Sequence, residues 1–299
     1  ITNYLRTTMN KLGLIKRIIF LLVGGYTSFA AAEPMVVSHL QMSGYEEHYA
    51  YRYQLIKDAL EITRADYGDY QLPPYKSVTT SARNAQLMSE GNQLNLYWTS
   101  PGTPVASAEV IEIPVDILNG LLGYRVCLTN QDAATDLRNV KDLQTLASIK
   151  IGQAQWSDRA IYRANQLAIV DAPNFDNLFM MLSAKRFDCI AFGVDEVARI
   201  YETKKAQYPF LAIDSHLLIH YYYPVYFYVS KKHPLLAQRL TSGLKKMKSN
   251  GDFDRLFYKY HSESLARLQL DKRNLVCLKS PFQQKHDECT WPPAYSNNL

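Results

Sequence analysis

The chain has 299 residues, of which 47% are hydrophobic and 20% charged, a globular composition. Its formal net charge of +5 is concentrated at one end: Arg6, Lys11, Lys16 and Arg17 precede Glu33 with no acid among them, and taking those four from 33 basic residues leaves 29 against 28 acidic ones. The remainder is close to neutral, so a nucleic-acid role loses its electrostatic warrant.

Residues 9 to 33, MNKLGLIKRIIFLLVGGYTSFAAAE, read as an export signal. Lys11, Lys16 and Arg17 form a positive n-region, Ile18 to Gly25 an apolar h-region, and Ala30-Ala31-Ala32 the small residues a signal peptidase accepts. The uncharged run from Ile18 to Ala32 is shorter than the roughly 20 apolar residues of a spanning helix. The expectation is therefore cleavage near Ala32 and a mature periplasmic protein beginning near Glu33. Ile1 to Thr8 stand before Met9 and read as upstream sequence. No Cys follows the h-region, which argues against a lipid anchor.

From Glu33 onward, strand and helix signals alternate as in an α/β protein. Met35 to Gln41 is strand-like, and Tyr49 to Thr63 places Tyr53, Ile56, Leu60 and Thr63 on one helical stripe. Pro73-Pro74 breaks the chain. Ser81 to Glu90 reads as a capped helix ended by Gly91-Asn92, followed by strands at Leu94 to Trp98, Val110 to Val115 and Gly120 to Leu128. The second stretch repeats this grammar: helices at Val140 to Leu146, Ser157 to Gln166, Phe175 to Ala184 and Val194 to Lys205, and strands at Ile149 to Gln153, Ala168 to Asp171, Phe187 to Phe192 and Phe210 to Ile213. Pro224 to Ser230 is strongly β-prone. Pro234 to Lys248 and Asp252 to Tyr260 are the last helices, split at Asn250-Gly251. Twenty-two tyrosines suit packed, hydrogen-bonded core positions or a stacking cleft.

Export makes disulfides possible. Cys277 and Cys289 lie in a polar, proline-containing tail, where a bridge would restrain a loop, and that pairing is expected. Cys127 and Cys189 sit inside the apolar runs YRVCL and FDCIAF, where buried thiols are the plainer reading and a bridge the less favoured one.

Several segments in this order resemble the periplasmic solute-binding proteins of amino-acid ABC transporters, the family 3 extracellular solute-binding proteins: YRYQLIKDALEIT, GNQLNLYWTS, RVCL, VKDLQTLASIKIG, NLFMMLSAKRFDCIAFGVDE and the helices around GDFDRLF. They span roughly residues 35 to 263 and carry pattern rather than an invariant motif. The resemblance implies an α/β, two-lobed periplasmic-binding-protein type II fold whose hinge consists of two crossover segments, near Gly123 to Arg125 and near Tyr222 to Val225. The implied organisation is a signal region at 1–32, a first lobe from 33–124 completed by 224–263, a second lobe at 125–223 and a C-terminal tail at 264–299. Amino-acid binders of this family place a ligand-clamping Arg soon after the third strand, but TSPGTPVASAE contains none. The acidic position after the late second-lobe strand, which in the family holds an ammonium, is matched by Asp195 or Glu196 of FGVDE.

Ligands of open α/β sheets gather at the carboxyl ends of strands. Tyr45 follows the first strand, Trp98, Thr99 and Ser100 the third, Trp156, Ser157 and Asp158 the strand of the second unit, and Asp195 its later strand; Arg125 lies between the lobes. Trp98 and Trp156 are candidates to stack a ligand, and Ser157 precedes a helix start suited to an anion. The plain alternatives are core packing for Trp98, turn packing for Tyr45, capping for Ser157 and Asp195, a first-turn acid favoured by the helix dipole for Asp158, and an ion pair for Arg125. There is no H-E-x-x-H, G-x-S-x-G, phosphate-binding glycine loop or C-x-x-C, and the histidines, His216 and His220 included, lack metal-ligand spacing on a helix.

The leading expectation is a non-enzymatic, monomeric solute-binding protein that takes no cofactor or metal. It closes over a small polar molecule, an amino acid or related compound, and serves an ABC permease or a membrane sensor. The alternatives are a ligand-less interaction module of the same fold and a periplasmic hydrolase or lyase using a Glu as general acid.

Overall fold

The computed structural model describes residues 33–41, 46–76, 79–131 and 134–282. The expected export signal, Tyr45 and Cys289 lie outside the described residues. In chain order the elements begin with β1 (Met35–Val36), β2 (His39–Leu40), α1 (Glu46–Glu61), α2 (Arg64–Tyr67), β3 (Tyr70–Gln71), β4 (Pro74–Tyr75), α3 (Ser81–Glu90), β5 (Leu96–Thr99) and β6 (Val110–Ile113). A 3-10 turn, Leu121–Gly123, leads into β7 (Tyr124–Asn130), α4 (Ala134–Leu137), α5 (Leu143–Leu146), β8 (Ile151–Gln153), α6 (Arg159–Ala164), β9 (Ile169–Asp171), α7 (Phe175–Ser183) and β10 (Cys189–Gly193). Then come α8 (Val197–Lys204), β11 (Leu211–Ile213), β12 (Leu217–His220), β13 (Tyr226–Ser230), α9 (Pro234–Ser249), α10 (Asp252–Leu268), a second 3-10 turn at Leu270–Lys272 and β14 (Asn274–Cys277).

Local signals place several of these elements. Thr80 caps α3 by accepting from the Arg83 N–H, and Gly91 ends it in the left-handed region. Gly251, at φ 81°, separates α9 from α10 where a side chain would be strained. Asp142 and Thr145 form a reciprocal capping box on α5.

Two main sheets result. The first has the order β4-β2-β5-β13-β6, and the second runs β14-β12-β7-β10-β8-β9 with β11 also paired to β7. The chain passes from the first sheet to the second between Ile113 and Tyr124 and returns between His220 and Tyr226. In the first lobe α9 packs on α1, with Gly243 facing the Ala59 carbonyl so closely that a Cβ would stand 2.2 Å from its oxygen. Tyr51, Leu55 and Ile56 of α1 and Phe253 and Phe257 of α10 fill the same core.

The residues from 264 onward, expected as a tail, do more than trail. Helix α10 runs on to Leu268, and β14 joins the second sheet in parallel with β12, pairing Leu217 with Asn274 and His220 with Cys277. The chain thus crosses between the lobes a third time and enters the second lobe for a second time. Arg273 secures the passage: its Nε donates to the Leu268 carbonyl at 2.9 Å and its Nη1 to the Asp214 carbonyl at 2.5 Å.

The second-lobe cysteines are joined. Cys127 on β7 and Cys189 on β10 form a disulfide, in place of the buried thiols that their apolar surroundings suggested. Both side chains project from one face of the sheet, since β7 and β10 pair Cys127 with Ala191, two residues from Cys189. Cys277 is disulfide-bonded as well. No helix among the described residues is long and apolar enough to cross a membrane.

Candidate functional site

The antiparallel register of the second sheet gathers the start of β7 with the carboxyl ends of its neighbours. Arg125 pairs with Gly193 at the end of β10, and Tyr124 with His220 at the end of β12. The loop after β8 delivers Trp156, Ser157 and Asp158 to the same edge, the loop after β10 delivers Asp195 and Glu196, and the return segment delivers Tyr221 and Tyr223.

Arg125 is the centre of this edge and is 5% exposed. Its Nη2 lies 3.1 Å from Asp158 Oδ2 and its Nη1 3.7 Å from Glu196 Oε1. Its guanidinium carbon stands 5.4 Å from the centre of the Tyr221 ring and 5.7 Å from that of Tyr223. Burial opposes its charge, yet Tyr221, Asp158, Tyr162 and Glu196 around it raise its pKa overall. Asp158 Oδ2 also accepts from the Tyr221 hydroxyl at 2.9 Å, and Tyr221 in turn meets the Tyr162 hydroxyl at 3.1 Å. Burial, and then the charge of neighbouring Asp195, pushes the Glu196 carboxyl above the usual range. Burial likewise drives the Tyr223 hydroxyl up to about 12.

The two lobes meet through polar side chains. Arg52 of α1 points its Nη2 at Asp195 Oδ2, 3.8 Å away, with both side chains buried. The Tyr223 hydroxyl is hydrogen-bonded to Ser157 of the second lobe and to the Ser100 side chain of the first. His261 on α10 sits close enough to Asp195 and Arg52 to feel both charges; burial lowers its pKa to about 4, with Asp195 opposing that shift and Arg52 adding to it.

Several polar atoms at this edge are buried without a hydrogen-bond partner: Arg125 Nε, Asp158 Oδ1, Asp195 Oδ1 and both amide atoms of Gln153. Gln153 is fully buried at the end of β8. The register of β8, β10 and β7 puts its side chain on the same sheet face as those of Arg125 and Cys127. An orphaned buried polar group costs about 1–3 kcal/mol, so a cluster of them is a place where an occupant with donors and acceptors is favoured.

Of the residues expected at a cleft, Ser100, Arg125, Ser157, Asp158 and Asp195 come together in this network. Trp98 does not stack toward it: its ring neighbours are Tyr49 and Tyr53, each at 5.5 Å, and Tyr97, the core-packing alternative. Thr99, the last residue of β5, donates to Thr103 in the loop that follows. Trp156 is half-buried against Phe192. Helix α6 starts at Arg159, and Asp158 occupies its cap position with its carboxylate turned to Arg125 instead of capping the helix. The Ser157 hydroxyl is hydrogen-bonded to that of Tyr223.

Arg52, Gln153, Tyr221, Tyr223 and His261 are the members that sequence reasoning passed over. One signal was there for Arg52, which lies four residues before Ile56 on the apolar stripe of α1, an unusual place for a charge without a partner.

No protein-family model matches the chain, and no curated protein matches it. Solved structures do resemble it. An arginine-specific periplasmic binding protein of Salmonella typhimurium superposes with a TM-score of 0.51 at 13% identity, covering 76% of this chain and 99% of its own. An ancestral arginine-binding protein bound to arginine gives 0.50 at 13%, covering 75% and 97%. An ancestral amino-acid-binding protein described as a precursor of cyclohexadienyl dehydratase gives 0.50 at 14%, covering 76% and 95%. At such identities the likeness is one of architecture, and the fold of this chain is the two-lobed α/β fold of periplasmic binding proteins.

Proposed function

We propose that this chain is an exported solute-binding protein that closes two lobes over a small polar molecule and presents it to an ABC permease or a membrane sensor. The observation that carries the reading is the cluster of unpaired buried polar atoms on Arg125, Gln153, Asp158 and Asp195, all at the strand ends where the lobes meet. A ligand bearing an ammonium and a hydrogen-bonding or anionic group would complement it, the cation toward Asp195 and Asp158, the acceptor toward Arg125 and the Gln153 amide. An amino acid or close relative has this chemistry. In such a mechanism the ligand bridges both lobes, and its binding energy shifts the population from open to closed.

The buried Arg52–Asp195 pair favours a second reading, a ligand-less interaction module of the same fold. There Arg52 takes the place of a ligand's cation and closes the lobes unaided. One experiment separates the two. Purified mature protein is screened by thermal shift against amino acids, polyamines, peptides and organic acids, and its denatured extract is analysed for a retained small molecule. A saturable rise in melting temperature that Asp158→Asn abolishes supports the binding reading. No response to any compound, with no retained molecule, overturns it in favour of the module.

A further inference from the structure

A groove of about 580 Å³ lies between α8 of the second lobe and the end of α10, lined by Arg199, Glu202, Ser264, Arg267, Lys272 and Arg273 among others. None of its lining residues belongs to the network around Arg125. Its volume falls within the range of roughly 300–1,000 Å³ typical of small-ligand pockets.

The charges of this groove are unequally committed. Arg273 is spent on the Leu268 and Asp214 carbonyls. Arg267 pairs with Glu263, but the side chains are 71% and 80% exposed, a contact of little strength. Glu202, the acid of the wall, pairs with Lys205 outside it, through side chains 59% and 47% exposed, which is also a weak contact. The side chains of Arg199 and Lys272 make no hydrogen bond or ion pair among the described residues, and Arg199 Nε is buried with no acceptor. A buried N–H donor without an acceptor is costly, and Glu202, the one carboxylate of the groove wall, pairs with Lys205 and not with this group.

We infer that this groove is a second binding site, for a compact oxyanion, a carboxylate or a phosphate, held by Arg199 and Lys272 with Arg267 at its rim. Guanidinium groups suit these ligands because their N–H fork matches two oxygens at once. The Ser215 and Ser264 side chains in the wall add neutral donors. Such an anion would also tie α8 to the segment that leaves α10, at the third passage between the lobes.

The test follows thermal unfolding of the mature chain during titration with inorganic phosphate, with citrate, and with sodium chloride at matched ionic strength. Phosphate or citrate is expected to raise the melting temperature saturably at millimolar concentration while chloride does not, and the arm with the lower apparent Kd identifies the oxyanion class. Arg199→Gln and Lys272→Gln should each weaken the response roughly tenfold, Arg199→Lys less, and Lys231→Gln, exposed on the first lobe, not at all. Lys272 is exposed, so its variant carries the test if Arg199→Gln fails to fold. Failure of both anions to act, or a response unchanged in Lys272→Gln and in whichever Arg199 variant folds, overturns the proposal. Loss of solute binding at the Arg125 network would leave it standing.

Discussion

Arg52 on α1 and Asp195 after β10 form a buried ion pair across the two lobes, Nη2 to Oδ2 at 3.8 Å, with side chains 6% and 3% exposed. Neither residue is near the other in sequence, and their meeting makes lobe closure an electrostatic matter as well as one of packing. Removing one member of a buried pair leaves the other charge uncompensated, at a cost of about 3–5 kcal/mol, whereas replacing both by apolar groups is often neutral. Arg52→Met is therefore expected to lower urea stability by about 3 kcal/mol, and Arg52→Met with Asp195→Leu to recover most of that loss. Small-angle scattering should show a larger radius of gyration for the single variant. Equal stability of wild type and single variant would refute a structural role for the pair.

Acid should weaken this junction through His261. Its pKa is lowered to about 4 in the fold against 6.5 for the free side chain, so between those two values the unfolded chain binds the extra proton. The contribution is complete above pH 6.5 and is lost as pH falls toward 4. His39, also lowered by burial, acts in the same direction. Melting temperature measured across this window should fall with pH, and less steeply in His261→Gln; an identical slope would show that other groups set it.

The disulfide between Cys127 and Cys189 closes a chain segment with a sequence separation of 62. Loop-closure entropy of that size corresponds to about 4 kcal/mol. The double variant Cys127→Ala with Cys189→Ala should lose stability of this order in guanidinium titration. The change belongs to the second lobe, so amide exchange should quicken in β7 and β10 before it does in α1 and α9.

Helices α1 and α9 approach most closely at Gly243, where an added Cβ would meet the Ala59 carbonyl oxygen at 2.2 Å. A backbone oxygen cannot swing aside as a side chain can. Gly243→Ala is expected to destabilise by about 1–3 kcal/mol, as overpacking does, despite the better helix propensity of alanine. A stabilised variant would mean that α9 slides freely on α1.

Legibility followed the range of the signal. Helix α3 came out at Ser81–Glu90 as expected, because Thr80 and Gly91 act within a few residues of its ends. The break between α9 and α10 was readable for the same reason, a left-handed Gly251 after Asn250. The polar run after residue 264 showed no such marks, and β14 exists because Asn274 to Cys277 find the edge of β12 more than fifty residues earlier. Within the site, Asp195 and Arg125 were picked by their place beside strand ends, yet their partners were not. Tyr221 and Tyr223 look like ordinary β-prone residues until antiparallel pairing sets His220 beside Tyr124 and turns them toward Arg125.

By itself the sequence determined the alternation of strands and helices, their caps and breaks, and the near neutrality of everything after Glu33, since periodicity, capping and charge are local or additive properties. The tertiary structure alone decided that Arg52 faces Asp195, that Arg125 is shared by Asp158 and Glu196, that Trp98 packs inward and that Cys127 bridges Cys189. Those outcomes depend on strand register and lobe contact, and register is settled only when the apolar faces of both sheets are buried together.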